Sequence, residues 1–180
     1  MQDAAMYDSS YAQYETFTLE QNYGGTKIFY TSSAIPKVVT QVYTINYYDT
    51  YTDLPSGLAP TITNSYGISS TTNTKGLATV SKVRILETDN WITTVTYYDE
   101  KARPIYVYSK NDELGTVDIV ESNLDEFSGR VLATKTTHKK TGKADIVTTD
   151  TFEYDHVDRL TKQTQTIAGK AAEVLVANTY

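Results

Sequence analysis

Runs of alternating apolar and polar side chains recur along this chain, separated at short intervals by strand-breaking clusters. Period-two alternation puts one set of side chains on each face of a pleated strand. It predicts strands at Tyr14 to Glu20 and at Thr26 to Thr31, joined across Asn22-Tyr23-Gly24-Gly25. Val38 to Tyr48 is the longest such run, with Val39, Gln41, Tyr43, Ile45 and Tyr47 on one side and Val38, Thr40, Val42, Thr44 and Asn46 on the other. Residues 51–60, with Leu54-Pro55-Ser56-Gly57, read as an extended loop. The Thr-, Ser-, Asn- and Gly-rich residues 61–76 read as a long excursion or flexible linker. Further strands are expected at Leu77 to Glu87, Trp91 to Tyr98, Ile105 to Ser109 and Thr116 to Asn123. Four more follow at Arg130 to Thr137, Ala144 to Tyr154, Arg159 to Ile167 and Ala171 to Tyr180, with His138 to Lys143 as a basic turn. No stretch shows sustained 3.6-residue periodicity with caps. The expected fold class is therefore all-β, with antiparallel β-hairpin repeats forming a twisted sheet or strip. An N-terminal hairpin and long-loop region, 1–76, precedes a repeat region, 77–180.

One layout recurs. Tyr154-Asp155-His156-Val157-Asp158-Arg159-Leu160 and Tyr98-Asp99-Glu100-Lys101-Ala102-Arg103-Pro104 each carry a Tyr-Asp pair, a short turn and an arginine opening the return strand. A weaker copy, Leu124-Asp125-Glu126-Phe127-Ser128-Gly129-Arg130-Val131, keeps the second half, and Tyr47-Tyr48-Asp49 repeats the first. An aspartate ending a strand can accept hydrogen bonds from backbone N–H groups two or more residues on and nucleate the turn. Gly129 stands where a short hairpin often needs positive φ; Asp158 and Ala102 hold the matching places. Asp tolerates that conformation better than Ala, so a distorted turn is expected at Ala102. The arginine can fork onto the aspartate or onto carbonyls of a neighbouring turn. The tyrosine can stack on its counterpart in the next hairpin. Side by side, such hairpins would form ladders of Tyr, Asp and Arg, each exposed ionic contact being worth about 0.2–1 kcal/mol.

Composition fits this reading. Of 180 residues, 39% are hydrophobic and 16 are tyrosine, a residue whose ring packs on a half-buried sheet while its hydroxyl reaches a polar partner. A net charge of −6 argues against a general nucleic-acid or anionic-membrane binder. The absence of cysteine excludes disulfides and thiolate chemistry. No apolar run is long enough to span a membrane, and Met1 is not followed by a basic and then apolar leader.

These motifs resemble the YD repeats of the rearrangement-hotspot (RHS) repeat family, whose unit reads roughly Tyr-Asp, two variable residues, Gly-Arg-Leu and a polar strand. The chain departs from that pattern at Asp158 and Ala102 in the Gly place, Pro104 in the Leu place, and Asp125-Glu126 for Tyr-Asp. The resemblance is good over residues 77–180, weaker over 1–76, and is similar in wording to long Bacteroidetes RHS proteins. It implies hairpin repeats winding into a strip that, in large members, coils into a hollow shell around a toxin or other cargo. It implies a bacterial surface or secreted protein of which this chain is a piece, with Tyr180 beginning a further copy. Tyr98, Asp99, Arg103, Gly129, Arg130, Tyr154, Asp155 and Arg159 are then turn-building residues. The partners it implies are further repeats joined by edge-strand pairing, a toxin cargo, or a surface glycan.

Candidate chemistry is sparse. His138 and His156 are the only histidines. Both fall in predicted turns, without the spacing of a metal site, and read as solvated turn residues. The carboxylates are spread through turns, which disfavours a glycosidase-like pair. Oxygen-rich Asp49 to Asp53 and Asn111 to Glu113 lack Ca-loop spacing, so no metal and no cofactor is expected. His138-Lys139-Lys140-Thr141-Gly142-Lys143 is the one basic cluster and reads as a hairpin tip. Trp91, Lys139 and Lys140 are the candidate contacts for the alternative reading, an extracellular sheet that binds glycans or proteins. The leading expectation is a structural segment rather than an enzyme, with open edge strands that pair with further strands.

Overall fold

The computed structural model describes residues 12–180. Among them there is no helix, only antiparallel sheet and connecting loops, so the all-β reading holds. The chain divides into two compact units, residues 1–45 and 46–180. In the first, β1 (Phe17–Tyr23) and β2 (Thr26–Tyr30) form a two-stranded hairpin. Asn22 Oδ1 accepts the Gly25 N–H at 3.0 Å, which fixes the turn. β1 starts later than alternation suggests because Glu15 is used otherwise. Its carboxylate accepts from Thr31 Oγ1 at 2.6 Å, Ser33 N at 2.9 Å and Ala34 N at 2.7 Å, tying the chain beyond β2 back to its entry.

Nine strands make the larger sheet: β3 (Thr44–Asp49), β4 (Thr74–Arg84), β5 (Trp91–Tyr98), β6 (Pro104–Asn111), β7 (Thr116–Leu124), β8 (Val131–Lys140), β9 (Ile146–Tyr154), β10 (Leu160–Ile167) and β11 (Glu173–Ala177). They lie in strict sequence order, β3 and β11 at the two edges, so the sheet is a meander of consecutive hairpins. Two boundaries correct the pattern reading. Residues 38–43 alternate but are not strand, and Val38 is 81% exposed. Alternation gives a segment two faces without giving it a neighbour to pair with. The basic segment 138–140 belongs to β8, not to a turn, because β7 extends far enough to pair with all three residues and β9 pairs with His138.

Residues 61–76 are no flexible linker. Asn64, Thr71 and Thr74 are buried, and the loop between β3 and β4 lies over one face of the sheet. Register places Val80, Val95, Tyr97, Tyr106, Tyr108, Ile119 and Glu121 on that face. Tyr51 stacks on Tyr97 with centroids 4.6 Å apart, and the Tyr97 hydroxyl donates to the Ala59 carbonyl at 2.7 Å. Burial pushes the Tyr97 phenol up to about 12. Val80, Val95, Tyr97 and Ile105 are fully enclosed here, and this is where the core of the sheet sits.

Candidate functional site

All turns of the Tyr-Asp kind fall at the same end of the sheet, between β5 and β6, β7 and β8, and β9 and β10. Two of them are built alike, atom for atom. Asp99 Oδ1 accepts from Lys101 N and Arg103 N, both at 2.9 Å, and its Oδ2 accepts from Arg103 Nε at 2.7 Å. Asp155 Oδ1 accepts from Val157 N at 3.0 Å and Arg159 N at 2.9 Å, and its Oδ2 from Arg159 Nε at 2.7 Å. The Asp N–H closes each turn on the Arg carbonyl at 2.9 Å. The fourth residue is left-handed in both, with φ 59° at Ala102 and 67° at Asp158. The distortion expected at Ala102 is thus absent. These four hydrogen bonds fix the loop, and Ala102 adopts the conformation that costs an L-residue about 1–2 kcal/mol.

The middle turn is one residue longer. Asp125 Oδ1 accepts from Phe127 N at 3.1 Å and from Ser128 N and Oγ, both at 2.7 Å. Gly129 takes the left-handed place with φ 76°, and a Cβ there would stand 3.3 Å from Arg103 Nη1. Glycine is therefore suited twice over, by φ and by the arginine passing beside it. Arg130 does not return to its own aspartate. Its Nε donates to Ser128 Oγ at 3.0 Å, and its Nη1 pairs with Asp158 of the next turn.

The arginines link one turn to the next. Arg103 Nη1 donates to the Asp125 carbonyl at 3.0 Å, as Arg130 reaches Asp158. Lys101 Nζ donates to the Glu126 carbonyl alongside. The expected tyrosine stacking takes another form: the ring of one hairpin meets the arginine of the previous one. Arg130 lies 5.3 Å from the Tyr154 ring centroid and Arg159 4.2 Å from that of Tyr180. Tyr154 OH donates to the Val131 carbonyl at 2.9 Å, and Tyr180 OH to that of Leu160 at 3.0 Å. Each acceptor is the residue just after the arginine. Tyr98 OH makes the same bond to Ala78 at 2.6 Å. Ala78 stands two residues after Gly76, which has φ 79° and donates its N–H to Asp49 Oδ1 at 2.6 Å. The first unit is thus a turn of this kind opened by the excursion, with Leu77 where the others have arginine.

A bulge completes the unit, and the residue pattern alone did not reveal it. Tyr98 pairs with Pro104 while Tyr97 pairs with Tyr106, leaving Ile105 as the extra residue. Leu132 is extra between Val131 and Ala133, and Thr161 between Leu160 and Lys162. In each case the surplus residue is the second after the arginine.

Electrostatics follow the geometry. Burial alone would push the Asp99 carboxyl up, but the Arg103 guanidinium and the N–H groups of Arg103 and Lys101 outweigh it and hold it below the ordinary value. Asp155 is held low first by the Arg159 N–H, and Asp125 by the Ser128 N–H and hydroxyl. A further fixed carboxylate, Glu121, was missed by sequence reasoning because its partners are remote in the chain. It is buried, accepts the Ser65 N–H at 2.5 Å and pairs with Lys135 Nζ at 3.0 Å. Burial acts to raise its pKa, and Lys135 and Ser65 more than offset that. With Asn64 Nδ2, which donates to the carbonyls of Ile105 at 3.2 Å and Ser122 at 2.9 Å, it latches the excursion to the sheet.

The ligand candidates do not converge. Trp91 on β5 is flanked by Lys82 Nζ at 5.7 Å and Arg84 at 6.0 Å. Lys139 and Lys140 lie on β8 and point to opposite faces, Lys139 pairing with Asp145 at 3.4 Å. His138 meets Asp118 across β7 and β8 at 2.6 Å, and His156 is exposed in its turn. Asp53 pairs with Lys82 and Asp112 with Lys110. Among the described residues no three His, Cys, Asp or Glu side chains are grouped to hold a metal ion.

Fold and turns together define a class: an antiparallel β-hairpin repeat protein whose units are joined by an Asp-Arg ladder along one end of an open sheet. In comparisons with known proteins, no family model, no curated protein and no solved structure matches this chain.

Proposed function

We infer that this chain is a structural β-hairpin repeat segment of the RHS kind, part of a bacterial surface or secreted protein, and that it builds a wall rather than performing chemistry. The wall is suited to enclosing a toxin or other cargo. One observation carries this reading: the turns at Asp99 and Asp155 repeat in geometry, and Arg103 and Arg130 each reach the following turn, so a unit stabilises its neighbour and the sheet grows by addition. The scatter of Trp91, Lys139 and Lys140 weighs against a glycan platform on this sheet.

A deletion series tests it. In a repeat sheet, stability is a sum of unit and neighbour terms. Chains ending at residue 167 and at residue 143 should each keep β3–β8 folded, losing stability in steps read by urea denaturation. Complete unfolding on removal of β11 alone would refute a modular wall.

A further inference from the structure

The ladder is unfinished at Arg159. Arg103 uses Nε on its own aspartate and Nη1 on the carbonyl of the following turn. Arg130 gives Nη1 to the carboxylate of Asp158. Arg159 repeats the inner half of this arrangement, Nε on Asp155 and its guanidinium over Tyr180, while among the described residues its two Nη atoms make no hydrogen bond. Its side chain is 47% exposed, against 24% for Arg103 and 31% for Arg130. Beside it runs β11, the edge strand, with Val174 and Leu175 exposed.

We propose that Arg159 and the outer edge of β11 form an addition site for a strand led by a turn whose fourth residue is acidic, with Arg159 selecting that residue. This rests on the repeat reading and goes further by naming the partner's chemistry. The edge supplies backbone pairing to any extended strand, which carries little selectivity. Selectivity comes from the unsatisfied guanidinium, positioned as Arg130 is positioned toward Asp158. A turn with Ala in that place, as at Ala102, offers Arg159 only a main-chain carbonyl. A second copy of the chain does not fit the description, because its Asp158 is already held by its own Arg130.

The probe is a synthetic peptide of residues 155–167, carrying the third turn and β10, titrated into the isotope-labelled full chain and followed by backbone amide NMR. Shifts should concentrate at Glu173–Ala177. The peptide should bind about two- to fivefold more tightly than its Asp158→Ala version, the scale of an exposed ion pair. That difference should vanish in the Arg159→Gln protein, which isolates the pairwise contribution. Should Arg159→Gln not fold, the difference between the two peptides on the unsubstituted chain should fade in about 1 M salt, where screening falls to about 3 Å. Equal binding of both peptides at β11 overturns the role of Arg159 and leaves the repeat reading intact. Absence of β11 shifts with either peptide overturns both. Shifts at β11 that grow with protein concentration before peptide is added identify a second copy as the occupant and overturn the proposal.

Discussion

Replacing Asp99 by alanine tests the clamp where it is most buried. The carboxylate is 8% exposed, accepts from Lys101 N, Arg103 N and Arg103 Nε, and lies 2.6 Å from Arg103 Nη2. Asp99→Ala strands two backbone N–H groups and a guanidinium that remains 24% exposed. Breaking a buried ion pair by removing one member costs about 3–5 kcal/mol, and water reaching Arg103 puts this case near the low end, about 3 kcal/mol. With a urea slope of about 2 kcal/mol/M, the unfolding midpoint should fall by roughly 1.5 M. Asp155→Ala removes the same bonds from an exposed turn and should cost clearly less. The pH dependence has a fixed sign. The folded-state pKa of Asp99 lies below its unfolded value, so its contribution is complete above the unfolded value and is lost as pH falls through the folded one. The gap between the parent protein and Asp99→Ala should therefore close in acid. Equal midpoint shifts for Asp99→Ala and Asp155→Ala, or a gap that widens in acid, would refute the argument.

Ala102→Gly should raise stability by about 0.5–1 kcal/mol in the same assay, since relief of left-handed strain at φ 59° exceeds the entropy that glycine adds to the unfolded chain. Asn64→Ala removes the donors to the Ile105 and Ser122 carbonyls. It should cost about 1–3 kcal/mol and expose residues 50–73 to limited proteolysis under conditions where the parent chain is resistant.

Strand identity was largely legible in the sequence because the hairpins follow one another directly. Trp91–Tyr98 has the boundaries that its alternation predicts, and Thr116–Leu124 nearly so. Residues 38–43 were misread because period-two patterning says nothing about a pairing partner. The docked excursion was misread for the opposite reason. Its Thr, Ser and Asn residues look like solvated linker, yet Asn64 is buried because it satisfies carbonyls at Ile105 and Ser122, far away in the chain. In the turns, the Asp-Arg clamp was legible from residue type and spacing. The exchange of Arg130 from Asp125 to Asp158 was not, because it depends on one extra residue, Ser128 supplying the local acceptor instead.

The surplus residue two places after each arginine has a further effect. The middle turn is a residue longer than its neighbours, yet the strand after it enters the sheet in the same phase, because the added residue stays within the loop between the paired Leu124 and Val131, and the same one-residue bulge follows at Leu132 as at Ile105 and Thr161. Loops of unequal length can thus be spliced into this array without exchanging its two sides. Insertions at that end, even one as large as the segment between Asp49 and Gly76, leave the downstream strands facing as before.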